Sequence, residues 1–268
     1  MDCKKSALGL LTQIDGIPTL EASKMRLFEI LQDDEADTER LEGLISSDPA
    51  MAAKIIKLAN SPFYRHAREP FGIHQAMLTV GIDMVKCLAL TMAVMDTLHS
   101  ESLYARALWA HSYATGLISL SLCRDRSEKD HLFTGALLHD LGRMVYLFKL
   151  PEIYIPLIEF DGSWPDISLE RDALGSDHAA VGEAIACMWR FPEQVVEIIR
   201  DHHVPQGRLS ALVSLVNRVV CMLERGENVH ETPCDEQIRH HLGGDYKDLV
   251  NTILQRYKLN SAIIENLY

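Results

Sequence analysis

Apolar residues return every three or four positions along most of this chain, and period-two runs of β-branched residues between turns are nearly absent. That pattern restricts the chain to an all-α fold. Asp37 and Thr38 offer caps for a helix over Glu39 to Ser46, with Leu41, Leu44 and Ile45 on one face. Asp48-Pro49 opens the next, Ala50 to Ala59, with Asp48 as N-cap, Pro49 in the first turn and an apolar stripe of Met51, Ile55 and Leu58. Asn60-Ser61-Pro62 ends it. Further helices are expected over Ser23 to Leu31, 72–79, 82–98 (separated at Gly81), Leu103 to Cys123, His131 to Phe148, His178 to Arg190, Pro192 to His203, Leu209 to Arg225 and Lys247 to Leu267. Asp161 to Asp177 is polar and turn-rich and reads as a long surface loop; Gly226 to Pro233 reads as a polar break.

Composition removes several classes of function. The 268 residues are 47% hydrophobic and 24% charged, ordinary for a globular chain, with a net charge of -12. An acidic surface repels phosphate backbones, so no nucleic-acid partner is expected. The cysteines, Cys3, Cys87, Cys123, Cys187, Cys221 and Cys234, form no C-x-x-C pair and read as small buried hydrophobes in a reducing compartment. The apolar stretch Ala7 to Leu11 is interrupted by Gln13 and Asp15 and makes a poor signal peptide; the longest apolar run, Cys87 to Met95, is too short to span a membrane. No membrane partner and a cytoplasmic location are the expectations.

The chemistry sits in histidines. His139-Asp140 lies within Thr134-Gly-Ala-Leu-Leu-His-Asp-Leu-Gly142, whose small and apolar flanks imply burial. A buried carboxylate costs several kcal/mol unless paired or bound to a cation. Adjacent His and Asp on a helix point about 100° apart, so both can line one concave site. His plus carboxylate is ligand chemistry for zinc, iron or manganese. The plainer reading has Asp140 capping a helix end near Gly142 and His139 making a neutral core hydrogen bond. Four other histidines weigh against it. His111 falls on the stripe Leu108, His111, Thr115, Ile118, Leu122; His202 and His203 each follow an isoleucine, Ile198 and Ile199, by four; His178 opens a helix that Asp177 caps. Burial lowers a histidine toward its neutral, metal-competent form. His66, His74, His99, His131, His230, His240 and His241 lack such context and read as surface or structural, and Trp109 and Trp189 as core. There is no phosphate loop after a strand, no G-x-S-x-G elbow and no C-x-x-C zinc ribbon.

These pieces resemble the HDOD family, helical bacterial signalling modules related to HD-domain phosphohydrolases. The resemblance runs from about Ile17 to Leu223. It rests on Ile17-Pro-Thr-Leu, on Ser47-Asp-Pro-Ala-Met-Ala-Ala-Lys-Ile-Ile-Lys-Leu-Ala-Asn-Ser61, on Gly81-Ile-Asp-Met-Val, on Gly135 to Gly142, on Asp177-His-Ala-Ala-Val-Gly182, and on Trp189, Pro192 and His202-His203. It implies two packed helical lobes, 15–100 and 101–225, the second an HD-hydrolase-like bundle, with a segment 1–14 before them and a helical extension 226–268 after. By similarity to HD-GYP phosphodiesterases, His111, His139, Asp140, His178, His202 and His203 take ligand positions for one or two divalent transition ions (Fe, Mn, Zn or Ni). Asn217 stands where the final HD aspartate is expected, the GYP loop after the paired histidines is missing, and Arg143 stands where hydrolase relatives often have Lys. The resemblance favours a regulatory module with a metal-type pocket, acting through a signalling partner. A phosphohydrolase acting on a cyclic dinucleotide or another phosphate-containing ligand, with Asp140 and Arg143 as its catalytic residues, and a metal-free scaffold are the competing readings.

Overall fold

The computed structural model describes residues 38–60, 72–82 and 102–265, together with residues 9, 85, 89, 92, 94, 97 and 98 individually. The expected helix Ser23 to Leu31, most of 82–98, the Ser61-Pro62 stop, and Cys3, Cys87, His66 and His99 lie outside the described residues. Among the described residues every regular element is a helix, and none is long and apolar enough to cross a membrane. The chain divides into two compact units, one within residues 18–99 and one from residue 100 onward.

In the first unit, α1 (Thr38–Ser46), α2 (Pro49–Ala59) and α3 (Ile73–Val80) close over a small core of Leu41, Ile45, Ile55, Ile73, Ala76 and Met77. Asp48 starts α2 as its sequence dictates, its Oδ1 accepting from the Met51 amide at 3.1 Å. Gly81, at φ 95°, stops α3 in a conformation that a side chain disfavours.

The second unit is built around α4 (Leu103–Leu122), a helix buried on nearly every side. Around it in chain order come α5 (Lys129–Leu137), α6 (Leu141–Lys149), the short α7 (Pro151–Tyr154), α8 (Ile167–Leu174), α9 (His178–Met188), α10 (Glu193–Asp201), α11 (Arg208–Glu224), α12 (Glu236–Leu242) and α13 (Tyr246–Glu265). One core unites Ile118, Leu132, Val213, Val216, Val219 and Val220 with Ile238, Tyr246, Val250 and Ile253, so residues 236–253 share the buried interior of α4 and α11. Each fully buried aliphatic side chain there contributes about 1.5–3 kcal/mol.

Three expectations need correction. The single helix His131 to Phe148 is two, α5 and α6, and His139 and Asp140 occupy the turn between them. Apolar residues surround the turn on both sides, so helical periodicity runs across it unmarked. The surface loop Asp161 to Asp177 contains α8: Asp166 Oδ1 accepts from the Ser168 and Leu169 amides at 2.9 and 2.8 Å, and Gly175, at φ 76°, ends the helix. The cysteines are not uniformly buried: Cys123 is, Cys221 is half-buried, and Cys187 and Cys234 are exposed. None of these four is disulfide-bonded.

Close packing places the turn. A Cβ on Gly142 would lie 2.1 Å from the His178 carbonyl oxygen, and one on Gly182 would lie 2.8 Å from Ile199 Cγ2. Only glycine lets the start of α6 touch the start of α9, which brings Asp140 to His178.

Candidate metal centre

His139 and Asp140 project from the α5–α6 turn into the interior, both essentially inaccessible. The His139 Nδ1–H donates to the Ala136 carbonyl at 2.7 Å, which leaves Nε2 directed inward. Asp140 stands at the N-cap position of α6, but its carboxylate accepts no capping bond. The plainer reading therefore fails for Asp140, whose side chain is free of capping duty. Its Oδ1 lies 3.2 Å from His178 Nε2 and 3.8 Å from His202 Nε2, and its Oδ2 lies 3.4 Å from both His139 Nε2 and Arg143 Nη1. His139 Nε2 and Asp140 Oδ1 are buried without a hydrogen bond, a condition native interiors avoid unless something else satisfies the atoms.

His178 is the first residue of α9, and Asp177 caps that helix through the Ala180 amide at 2.8 Å. Its ring is aimed by Glu170 of α8. The Glu170 Oε2 accepts from the His178 Nδ1–H at 2.6 Å and from the His178 amide at 2.8 Å. Glu170 is itself held by the Tyr154 hydroxyl, which donates to Oε1 at 2.8 Å, and by Arg143 Nε at 3.4 Å. His202, just past the end of α10, donates its Nδ1–H to the Ile199 carbonyl at 2.7 Å. The remaining nitrogens converge: His178 Nε2 is 3.2 Å from His202 Nε2 and 2.8 Å from His203 Nε2. With both rings neutral and both Nδ1 atoms protonated, the His178 and His202 lone pairs face each other, an arrangement that a proton or a metal cation between them relieves.

His111 reaches the same region from α4. Its Nδ1 lies 2.9 Å from Glu224 Oε2 and its Nε2 3.0 Å from Asn217 Oδ1, both on α11. Arg143 is buried. Its Nη2 donates to the Pro165 carbonyl at 3.2 Å, and its guanidinium lies 5.8 Å from the centroid of the Trp164 ring.

The electrostatics agree with the geometry. Burial pushes the Asp140 carboxyl up, but Arg143 and the histidines around it outweigh this and hold it well below the usual carboxylate range. Burial pulls His139 down to about 4 and, with crowding by His178 and Arg143, His203 to about 2; burial and crowding by His203 and His139 hold His202 well below its ordinary value. These are neutral imidazoles beside an ionised carboxylate, the protonation states that ligands need. His111 goes the other way: burial lowers it, but the Glu224 carboxylate against Nδ1 raises it further. Burial pushes the Glu170 carboxyl up, but His178 and Arg143 together outweigh it and pull the group below its ordinary range.

Two trios of candidate ligands gather about Asp140, His178 with His202 and His203, and His111 with His139 and Asp140 itself, with ligand atoms in each within 4.8 Å of one another. Asp140 touches both. Nitrogen and carboxylate donors, atoms buried without partners and facing lone pairs all fit a divalent first-row transition ion. All six residues named from the sequence come together. Asn217 also arrives, but against His111. Sequence reasoning missed Glu170, although Asp166 and Gly175 bracket its helix and it shares the inward face of α8 with Leu174. It also missed Glu224 and Tyr154. Of the remaining histidines, His74 is exposed beside Glu42, and His230 and His240 are exposed.

The comparisons follow the same outline. The HDOD domain profile matches residues 17–205. An uncharacterised protein of Treponema pallidum (strain Nichols) is 29% identical over 239 residues, covering 85% of this chain and 46% of that protein, so the chain spans about half the length of this relative. A crystal structure from Shewanella amazonensis SB2B, of a protein that carries a phosphohydrolase name, superposes with a TM-score of 0.77 at 19% identity, covering 97% of this chain and 98% of that one. An HDOD domain protein of unknown function from Geobacter sulfurreducens gives a TM-score of 0.75 at 24% identity, covering 98% and 95%. At these identities the two structures speak for the fold alone. The profile match covers most of the sequence and includes the His139-Asp140 turn and the His202-His203 pair: the chain belongs to the HDOD family.

Proposed function

We propose that this chain is a regulatory HDOD module whose second unit holds one or two divalent transition-metal ions, and that it works by binding and not by turnover. The observation that carries the metal reading is the pair of inward Nε2 atoms of His178 and His202, 3.2 Å apart, beside the unbonded Asp140 Oδ1. His178, His202, His203 and Asp140 would hold one ion; His139 and Asp140, joined by His111 if its Nε2 leaves Asn217, would hold a second. A bound ion would supply Lewis acidity and lower the pKa of a water ligand. Glu170 and the Ala136 and Ile199 carbonyls fix the ring orientations. Arg143 supplies a buried positive charge next to Asp140.

Against turnover stand two features of this chain. Asn217 replaces an anionic ligand by a neutral amide, and that amide is engaged with His111. His203-Val-Pro-Gln-Gly207 leads almost directly into α11, which leaves no room for a substrate-recognition loop there. A signalling protein partner in the cytoplasm is the setting this reading calls for. The second reading, a phosphohydrolase, draws on Arg143, whose guanidinium beside Asp140 could stabilise phosphoryl charge, and on the name of the Shewanella relative.

Manganese- or iron-loaded protein incubated with a cyclic dinucleotide and with a generic phosphodiester separates the two. The regulatory reading expects metal to bind and product to stay at the level of a His139→Ala control. Metal-dependent product formation lost in that control would establish the enzyme.

A further inference from the structure

Beyond the two trios, α11 presents a polar stripe to the buried central helix. Asn217, Cys221 and Glu224 are spaced four and three residues apart, so one face of α11 carries all three. Opposite them on α4 is His111. An ordinary helix seam at this position would be apolar, since an unpaired buried polar group costs a few kcal/mol.

We propose that His111, Cys221 and Glu224 form a further binding site for a thiolate-accepting divalent ion of the zinc type, one that engages His111 with Glu224 and Cys221 in place of the His139–Asp140 ion. Their ligand atoms lie within 4.8 Å of one another. The donor set is one imidazole nitrogen, one sulfur and one carboxylate oxygen, which suits a borderline ion and leaves a fourth position for water. The charges balance too: one thiolate and one carboxylate neutralise a divalent cation. The His111–His139–Asp140 trio offers a single negative charge and no sulfur.

Asn217 gains a role in this site. The His111 Nδ1, already 2.9 Å from Glu224 Oε2, is the nitrogen placed to ligate, while Nε2–H donates to Asn217 Oδ1 at 3.0 Å. A metal-bound histidine usually donates its other N–H to a carbonyl or carboxylate, which fixes ring and tautomer. Asn217 is therefore a positioning residue here and need not be a ligand. In the metal-free protein the Cys221 thiol donates to the same Oδ1 at 3.3 Å, and burial pushes that thiol up to about 12, so it stays protonated until a cation arrives. When the hydrated ion binds, the Cys221 Sγ proton and the His111 Nδ1 proton pass to solvent, and one metal–sulfur, one metal–nitrogen and one metal–oxygen bond form in place of metal–water bonds, the displaced waters leaving to solvent. The Glu224 side chain is one-third exposed, which gives the ion a route in.

Cobalt(II) titration of the full chain tests this, because thiolate ligation produces a near-ultraviolet sulfur-to-cobalt charge-transfer absorption that histidine and carboxylate ligation do not. The site predicts that the absorption appears in the wild type, persists in His202→Ala/His203→Ala, and disappears in Cys221→Ser. Glu224→Gln should weaken the cobalt titration of that absorption by about tenfold or more, and this arm decides the matter should Cys221→Ser fail to fold. Cobalt bound with no charge-transfer absorption, or an absorption indifferent to Cys221→Ser or to Glu224→Gln, overturns the thiolate site. The HD-like pocket survives that outcome, since its cobalt would still show visible ligand-field bands sensitive to His202→Ala/His203→Ala; no bound cobalt at all removes both.

Discussion

Glu170 Oε2 stands 2.6 Å from His178 Nδ1 and also accepts the His178 backbone amide. One buried carboxylate thus fixes the ring, the tautomer and the first turn of α9. Glu170→Gln keeps the shape and removes the charge. Metal affinity should fall by about 10- to 100-fold, read by competition with a chromophoric chelator, while far-ultraviolet circular dichroism stays unchanged. Unaltered affinity would show that Glu170 supports the fold only.

Gly142→Ala should be severely destabilising. The added methyl meets the His178 carbonyl, a backbone atom that no rotamer change can move, and the loss should reach about 3 kcal/mol or more in urea unfolding. Gly43→Ala, in the exposed middle of α1 with no heavy atom within 4 Å, should instead stabilise by about 0.5–1 kcal/mol through helix propensity.

The metal-free protein should lose stability as pH falls. His139, His202 and His203 have folded values below the 6.5 of an unfolded histidine. Below about 6.5 the unfolded chain takes up protons that the folded one refuses. The neutral-histidine contribution is therefore complete above that value and is lost progressively toward about 4, where His139 titrates, and lower for the other two. His111, raised by Glu224, acts in the opposite sense: its contribution is complete below 6.5 and fades as pH rises through its higher folded value. Three groups outweigh one, so thermal melts of chelator-treated protein should shift down between about pH 7 and about pH 5. A flat profile would contradict the assigned protonation states.

Asn217→Asp should tighten metal binding by about tenfold, because it places a charged acceptor 3.0 Å from His111 Nε2, which strengthens that hydrogen bond and adds negative charge beside the candidate ligands. Isothermal titration with manganese reads this directly; weaker binding would mean that the amide is required as it stands.

The sequence made some of this arrangement legible and hid the rest for physical reasons. His111, His202 and His203 could be placed inward because each continues an apolar face at helical spacing, and Asp48-Pro49 and Asp177 announced helix starts through cap chemistry that is local. The break at His139-Asp140 was not legible, since leucines on both sides are buried, no proline marks the turn, and Gly135 lies inside the preceding helix and not at its end. Glu170 was hidden because a polar segment looks solvated until its caps are read together. Arg143 could not be assigned inside or outside, because Trp164 and Pro165, which cover it, lie about twenty residues away across a turn-rich segment. The pairing of His111 with Asn217 and Glu224 joins positions more than a hundred residues apart, which no periodicity encodes.

The central claim is that the second unit holds metal, and metal content measures it most directly. Protein purified without a metal-chelating tag or resin should carry one to two equivalents of a first-row transition metal by elemental analysis, with a clear loss in His202→Ala/His203→Ala. A wild-type protein with no stoichiometric metal, before or after incubation with manganese, iron, zinc or nickel, or a content unchanged in that variant, would contradict it.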